Sequence, residues 1–527
     1  MNRFIICGSL LLWLFLFFSS LAFAASSVNV PLDSWVYPAL EKLEAYGLVD
    51  SAMWGTKPFS RLEVARMVGE AMETWQEAEP KKKISGFAEK DLIPSLLERF
   101  KIEFKRELVE RGVMEGAKAS TFLKPVDEIV LRYEYQSHNP IVRPQVPGSN
   151  PPNQSLYPIN NNDGIVYQKG SNFTGNIRGE ARLWEHISFY YEPIFKALGD
   201  EGSQVDLEKG YMKAEALNLE LEVGRDQAWW GPGYTGALIL SNNARPFDMI
   251  KLSAPQPYSI PLIGLFKFNT FLTKLDYGRE PQLQPSTIPH PYLWGTRLDF
   301  KPHPLLELGL SRIIIFGGEG REALSFGGYL KTLFSRTTEV KEGQNQQFAA
   351  DFAFRVPNFD RILPIFRSLK VYGEWMMDDT TQWGYLAGLL LHDILLTGRM
   401  DLRLEYVDTS WHKVPTALDT HVEFPPIFHD RLFGYYNGGN VRGYFARVEV
   451  HLSPMVQLGL DGDAATQGMK LDVTTKTYRS GVDLEYLIGN KTSLKGRFML
   501  EKLDDPQKIA GGNGTHNFLG IEFRKRF

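Results

Sequence analysis

One stretch of the chain places two adjacent tryptophans among arginine and asparagine side chains. The candidate residues are Arg225, Trp229, Trp230, Asn242, Asn243 and Arg245. An indole ring offers a flat face to the C–H surface of a sugar, and amide or guanidinium groups bond sugar hydroxyls or carboxylates. These residue types therefore predict a polysaccharide-binding site. Local chemistry alone favours a structural alternative, in which the tryptophans anchor a membrane interface and the asparagines shape a turn.

The other motifs give no support to a catalytic, cofactor or metal site. The sequence from Ile313 to Ala323 imitates a dinucleotide fingerprint, but no βαβ pattern surrounds it, so a turn after a strand is expected. No metalloprotease, nucleophile-elbow or P-loop motif occurs. We therefore predict a protein that is not an enzyme and has no catalytic residues, cofactor or metal ligands. An outer-membrane barrel enzyme is kept as a distant alternative.

From about Pro125 to the C-terminus, apolar side chains alternate with polar ones. In one such stretch Leu219, Leu221 and Val223 enclose Glu220 and Glu222. Alternate side chains of a strand point to opposite faces, so one face is apolar and the other polar. The pattern predicts a mainly β fold, a large antiparallel transmembrane barrel over residues 119–527. At roughly ten residues per strand plus about a dozen per connection, the barrel has on the order of 16–18 strands.

Aromatic residues favour a membrane barrel over a soluble β-sandwich. They make up 13% of the chain, while the mean hydropathy is only -0.23. Several fall near expected strand ends, where aromatic girdles meet lipid headgroups. These are Trp184, Tyr190, Tyr191, Trp229, Trp230, Trp375, Trp383, Tyr435 and Tyr436. The final residue, Phe527, resembles the terminal aromatic signal that the barrel-insertion machinery reads. We therefore expect the outer membrane of a Gram-negative-type bacterium, with its lipid and that machinery as partners.

The first 24 residues have the features of a secretory signal peptide. Arg3 precedes an apolar run from Phe4 to Phe18, and Ala22-Phe23-Ala24 provides a cleavage site. Cys7, the only cysteine, is lost with this segment, which excludes thiol chemistry in the mature chain. The formal net charge of -4 argues against a nucleic-acid partner, because there is no basic excess to neutralise phosphates.

Between the signal peptide and the barrel, residues 25–118 show helical periodicity. One helix begins near Trp35 and ends before Gly47. A second follows Ser60, which with Glu63 forms a capping-box pattern. A third carries an apolar stripe whose members recur every four residues: Leu92, Leu96, Phe100, Phe104 and Leu108. We expect a small helical module in the periplasm.

The tryptophan segment resembles the capsule assembly Wzi family. Gly224-Arg225 leads to Trp229-Trp230-Gly231-Pro232-Gly233, and Leu240-Ser241-Asn242-Asn243-Ala244-Arg245-Pro246 follows, as in members of that family. Weaker similarities, such as Tyr372-Gly373-Glu374-Trp375, spread over most of the barrel. The resemblance implies an outer-membrane surface lectin that attaches or assembles capsular or exported polysaccharide. A porin-type channel with a peptidoglycan-binding module is the alternative.

The helical module resembles one S-layer homology unit. Residues Ser60 to Glu63 stand where that family carries its T-R-A-E motif, and only one copy is visible. The resemblance implies that Trp35, Arg61 and Glu63 could contact peptidoglycan. The capping box explains the same residues without a ligand, and a role as scaffold or as plug of the periplasmic mouth of the barrel is slightly favoured.

Overall fold

The computed structural model describes most of the chain beyond the first two dozen residues. The described ranges are 25–78, 86–142, 155–156, 159–276, 287–321, 327–328, 344–378, 382–411, 423–469, 474–505 and 513–527. The expected signal peptide, residues 1–24, lies outside them.

In the described part of the chain, eighteen antiparallel strands close into a single barrel, one of them continued after a break by the short segment Tyr258–Ile260. The expected fold class and strand number are therefore confirmed, and the sandwich is excluded. Closure joins the first and last strands, with Glu128 opposite Arg526 and Gln136 opposite Phe518. The strands are β1 Phe122–Gln136, β2 Gly170–Leu183, β3 Ile187–Leu198, β4 Ser203–Ala216, β5 Leu219–Asp226, β6 Phe247–Ser253, β7 Gly264–Lys274, β8 Tyr292–His303, β9 Leu306–Phe316, β10 Gln344–Val356, β11 Ser368–Asp378, β12 Gln382–His392, β13 Met400–Trp411, β14 Val441–Ser453, β15 Val456–Gln467, β16 Thr475–Leu487, β17 Thr492–Asp504 and β18 Gly514–Arg526.

The strands alternate between an apolar outer face and a polar inner face, as predicted. In β5, Leu221 is 45% exposed on the outside, whereas its neighbour Glu222 is fully buried inside. The outer leucines have no cover, which is unfavourable in water and favourable in hydrocarbon. The barrel therefore presents to its surroundings the surface that a lipid bilayer covers.

The two ends of the barrel differ in the length of their connections. At one end, which we call the short-turn end, strands are joined by turns such as Trp184–His186, and β1 begins and β18 ends there. At the other, the long-loop end, residues 227–246 and 412–440 connect consecutive barrel strands. The sequence from Gly317 to Gly320 forms a turn after β9, as expected, with positive φ at Gly317, Gly318 and Gly320.

The described residues between 25 and 118 form four helices. They are α1 Val36–Ala45, α2 Arg61–Ala78, α3 Ile93–Glu103 and α4 Lys105–Glu110, with a π-helical turn at Ala88–Leu92. Gly47 has φ +68° after α1, and the Ser60 hydroxyl accepts a hydrogen bond from the Glu63 N–H at 3.1 Å, so both boundary signals are confirmed. The predicted third helix is interrupted at Phe104. Within the described residues, the helices are too short or too polar to cross a bilayer.

These helices lie inside the barrel, near its short-turn end. Lys42 of α1 pairs with Asp401 of β13 at 2.7 Å, and Glu63 of α2 pairs with Lys267 of β7 at 2.8 Å. Asp33 accepts from the wall residue Arg178 at 2.9 Å. Because these partners belong to opposite parts of the wall and face inward, the helical segment plugs the lumen.

Several expected girdle aromatics are inside the barrel, and that part of the prediction was wrong. Trp184 is 68% exposed, and Trp383 is exposed beside Trp375, whose ring it meets edge-on at 5.6 Å. By contrast, four of the expected girdle residues are buried: Tyr190, Trp229, Trp230 and Tyr435. Alternation alone could not separate the exposed aromatic residues from the buried ones, because it does not show which segments between strands fold into the barrel. Trp229, Trp230 and Tyr435 lie in such segments, whereas Tyr190 lies in β3.

Candidate functional site

The tryptophan segment folds from the long-loop end into the lumen. There it meets the helical segment in a two-stranded sheet, in which Thr56 lies opposite Trp230 and Lys57 opposite Trp229. The Gly231 N–H donates to the Gly55 carbonyl at 2.8 Å. Wall carboxylates hold the rest of the loop, since Glu405 accepts from the Tyr234 and Thr235 N–H groups at 2.6 and 2.8 Å. The two inserted segments therefore fill the lumen from both ends.

Trp230 belongs to the hydrophobic packing of this inserted loop. Only 1% of its surface is exposed, and its ring centroid lies 5.3 Å from that of Phe271 on the wall. Gly295 lies so close that a Cβ there would come within 2.6 Å of the Trp230 ring. Trp230 therefore stabilises the packing of the inserted loop against the barrel wall and offers no face to a sugar or to lipid.

A chamber of about 460 Å³ lies beside α1, between the plug and the wall formed by β11 to β17. Its lining includes Trp35 and Met455 towards the short-turn end, and Trp229, Tyr234 and Asn242 from the long-loop side. Tyr234 is 42% exposed although it lies within the barrel, so much of its side chain faces the open space of the chamber. A cavity of this volume holds a few sugar rings, and mixed aromatic and charged walls suit a polar ligand with apolar ring faces.

The chamber contains an ammonium group without a carboxylate partner. Lys370 and Arg403 both pair with Glu41 of α1, at 2.8 and 2.5 Å. No carboxylate of the described ranges forms an ion pair with Lys57, whose Nζ lies 4.7 Å from the Trp229 ring centroid. Burial, followed by the charge of Lys370, lowers the pKa of Lys57 to about 7. A carboxylate entering the chamber would supply the missing partner.

The remaining predicted polysaccharide residues are dispersed. Asn242 lines the chamber and donates to the Asn161 carbonyl at 3.0 Å, whereas Asn243 is buried and donates to the Leu432 carbonyl at 2.8 Å. Arg245 pairs with Asp206 at 2.6 Å near the long-loop end. Arg225 pairs with Asp248 at 2.7 Å on the outer wall. Of the six, Trp229 and Asn242 therefore come together in the chamber, and the others do not join them.

The residues proposed to contact peptidoglycan hold the helices of the plug together and, through Glu63, attach them to the barrel wall. Arg61 is buried and donates to Glu107 of α4 at 2.7 Å, and Glu63 is buried against Lys267. The Trp35 indole donates to Glu103 at 2.8 Å, under the guanidinium of Arg99. A wall polymer could reach Arg61 and Glu63 only if the helices left the barrel, so their burial favours the plug or scaffold role over contact with peptidoglycan.

Sequence reasoning missed Lys57, Tyr234 and Arg403 as chamber residues. Arg403 looked like any inward residue of an alternating strand, and Tyr234 lay in the recognised segment without being singled out. No sequence signal marked Lys57, because its pairing with Trp229 depends on where two distant segments meet.

Comparison with known proteins places the chain in a family. The family model described as capsule assembly protein Wzi matches residues 154–516. An uncharacterized 55.8 kDa protein in the cps region of Klebsiella pneumoniae is 28% identical over 207 residues, or 38% of this chain and 37% of that protein. The match therefore spans little more than a third of that relative.

A solved structure has the same fold. It is that of Wzi from Escherichia coli, described as an outer-membrane protein involved in group 1 capsule assembly and as a carbohydrate-binding β-barrel. The similarity has a TM-score of 0.66 at 17% identity and covers 94% of this chain and 99% of that one. Because the family model covers well over half of the sequence, the chain belongs to the capsule assembly protein Wzi family.

Proposed function

We propose that the chain is an outer-membrane polysaccharide-binding protein that helps attach or assemble capsular or exported polysaccharide at the cell surface. The observation that carries this proposal is the meeting of the two inserted segments, Thr56–Lys57 and Trp229–Trp230, inside the barrel. A lumen filled in this way suits holding a ligand better than conducting solutes. Membership of the Wzi family supports the same function.

The proposed orientation follows from the two ends of the barrel. In outer-membrane barrels short turns face the periplasm and long loops face the exterior. The helical plug, residues 25–118, then occupies the periplasmic half of the lumen, and the tryptophan segment descends from the cell surface. Removal of residues 1–24 and insertion of residues 119–527 by the barrel-insertion machinery belong to this proposal.

The proposed ligand of the chamber is an acidic segment of the polysaccharide. Its carboxylate pairs with the Lys57 ammonium, and its hydroxyls bond the Tyr234 hydroxyl and the Asn242 amide. When Lys57 is protonated, the cationic side chains that line the chamber outnumber its carboxylates by one, which leaves one positive charge for the ligand. Local charge of this kind matters because the protein as a whole is mildly acidic.

The alternatives receive less support. A porin needs a continuous water path, and the paired inserted segments stand across the lumen. A peptidoglycan-binding role would have to release Arg61 and Glu63 from buried ion pairs. The helical segment is therefore proposed as a plug and scaffold. A barrel enzyme would instead release a product from glycan or lipid.

The experiment is retention of the purified polysaccharide of the host by the mature protein in detergent. Lys57→Met and Trp229→Ala change the chamber, Arg245→Ala changes the long-loop end, and Arg225→Ala on the outer wall is the matched control. We expect at least tenfold weaker retention by Lys57→Met and no change for Arg225→Ala. If Lys57→Met and Trp229→Ala fold and retain polysaccharide as well as wild type, the chamber is not the binding site. Loss confined to Arg245→Ala would transfer the site to the outer face.

A further inference from the structure

Two histidines and a glutamate lie together at the long-loop end, away from the chamber. His138 follows β1, Glu501 belongs to β17 and His516 to β18. One ligand atom from each side chain lies within 4.8 Å of the other two. His138 Nε2 is 3.6 Å from Glu501 Oε1, and the two imidazole rings stack with centroids 3.5 Å apart.

His138 lacks the hydrogen bonds that its burial calls for. Neither of its ring nitrogens has a hydrogen-bond partner among the residues that the structure describes, although both atoms are buried. A buried polar atom that is left unsatisfied in this way destabilises the folded protein. An imidazole nitrogen without a hydrogen-bond partner can supply its lone pair to a metal ion.

Glu501 contributes the charge of the cluster. Its Oε2 accepts from Arg479 Nε at 2.7 Å, and Oε1 faces His138. Arg479 also lies near Asp463, with Nη1 and Oδ1 3.6 Å apart. One guanidinium thus faces two carboxylates, and the local excess of negative charge favours a cation.

We propose that His138, Glu501 and His516 bind a divalent first-row transition-metal ion, with Zn²⁺ the best match to the donor set. Two imidazole nitrogens and one carboxylate oxygen are typical zinc ligands, whereas Ca²⁺ and Mg²⁺ prefer oxygen alone. Zn–N bonds of about 2.0–2.1 Å put tetrahedral ligand atoms about 3.3 Å apart, so the side chains must close in by rotation. Ring stacking by itself accounts for the contact between the histidines but leaves His138 without polar partners.

The test is metal binding by the full mature chain, purified in detergent without an affinity tag and stripped with a chelator. Zn²⁺ is titrated in competition with a chromophoric chelator, and Ca²⁺ and Mg²⁺ are added as competitors. We expect one Zn²⁺ per chain with no competition by Ca²⁺ or Mg²⁺. His138→Ala, His516→Ala and Glu501→Gln should each bind at least tenfold more weakly, since loss of a metal's supporting partner alone costs 10–100-fold.

The matched control is His303→Ala, which removes an exposed histidine beside the short β8–β9 turn. It should bind Zn²⁺ like wild type, and heat-modifiable gel migration reports that each variant is folded. Binding below one equivalent, or equal binding by wild type, His138→Ala and His516→Ala, overturns the proposal. Should a variant fail to fold, zinc-edge X-ray absorption of the wild type provides the test, because the proposal requires two imidazole ligands on the bound zinc. The outcome is independent of polysaccharide binding.

Discussion

Replacement of Lys57 by methionine tests the chamber through the protonation of one amine. Burial and the charge of Lys370 lower the pKa of Lys57 from 10.5 to about 7. At 1.36 kcal/mol per pKa unit, the ammonium in the empty chamber is disfavoured by up to about 5 kcal/mol relative to water. An acidic sugar that pairs with it raises this pKa again. Binding must therefore be coupled to proton uptake.

The size of the uptake depends on pH. With a free-state pKa of about 7, binding at pH 7 should take up about half a proton per chain, rising towards one above pH 8 and falling to zero below pH 6. Affinity for an acidic oligosaccharide should fall about tenfold per pH unit above 8, because the neutral amine has to be protonated first. Calorimetry in two buffers with different ionisation enthalpies measures both quantities.

Lys57→Met should bind more weakly at pH 6 and show no proton uptake at any pH. Its stability also changes in a defined direction. Because the folded-state pKa of Lys57 lies below the unfolded value, the unfolded wild type binds more protons between about pH 7 and 10.5, and its free energy of unfolding gains with pH there. Lys57→Met lacks that gain. Proton uptake that is absent in wild type, or unchanged in Lys57→Met, would refute the reasoning.

Three further predictions concern the plug. Trp230→Ala should lower the free energy of unfolding by about 3–5 kcal/mol, whereas Trp184→Ala on the outer surface should change it by about 0.5 kcal/mol or less. Heat-modifiable gel migration compares the two variants, and equal losses of stability would contradict the packing of Trp230 against Phe271. Asp401→Ala breaks the buried ion pair with Lys42 at a cost of about 3–5 kcal/mol and should expose residues 25–118 to protease. Asp248→Ala breaks an exposed ion pair and should leave protection unchanged, so equal cleavage rates in the two variants would count against the plug. Burial raises the pKa of Asp33, but Arg178, Arg524 and Arg132 more than offset this and hold it well below its usual range. The stabilisation is therefore complete above about pH 4 and is lost below it, so pepsin digestion of the plug should accelerate below about pH 3 in wild type, with a smaller change in Asp33→Asn.

The barrel was predictable from sequence because lipid and lumen impose opposite demands on neighbouring residues. Leu221 and Glu222 show the alternation that this requires, and its repetition gave the fold class, the approximate strand number and the orientation of side chains. The start of α2 was equally predictable, since Ser60 caps within three residues of itself. Both signals are local.

The candidate site depends on contacts that are remote in sequence. Trp229 and Trp230 are adjacent, yet one lines the chamber and the other packs against Phe271, because pairing with Thr56–Lys57 turns them to opposite sides. The motif around Arg61 and Glu63 fitted either a ligand site or a helix cap, and its sequence could not show that Glu63 pairs with Lys267 of the barrel wall. The proposed metal ligands His138 and His516 meet because β1 and β18 close the barrel. Closure of this kind leaves no mark in a local motif.

The most direct test of the central claim is the distribution of polysaccharide in a deletion strain. Cell-associated and released polysaccharide are quantified in the deletion strain and after complementation with wild type, Lys57→Met or Arg225→Ala, with barrel levels in the outer membrane matched. We predict that deletion moves the polysaccharide into the medium at unchanged total yield, and that wild type and Arg225→Ala return it to the cell while Lys57→Met does not. A deletion strain that keeps its normal cell-associated polysaccharide would contradict the account.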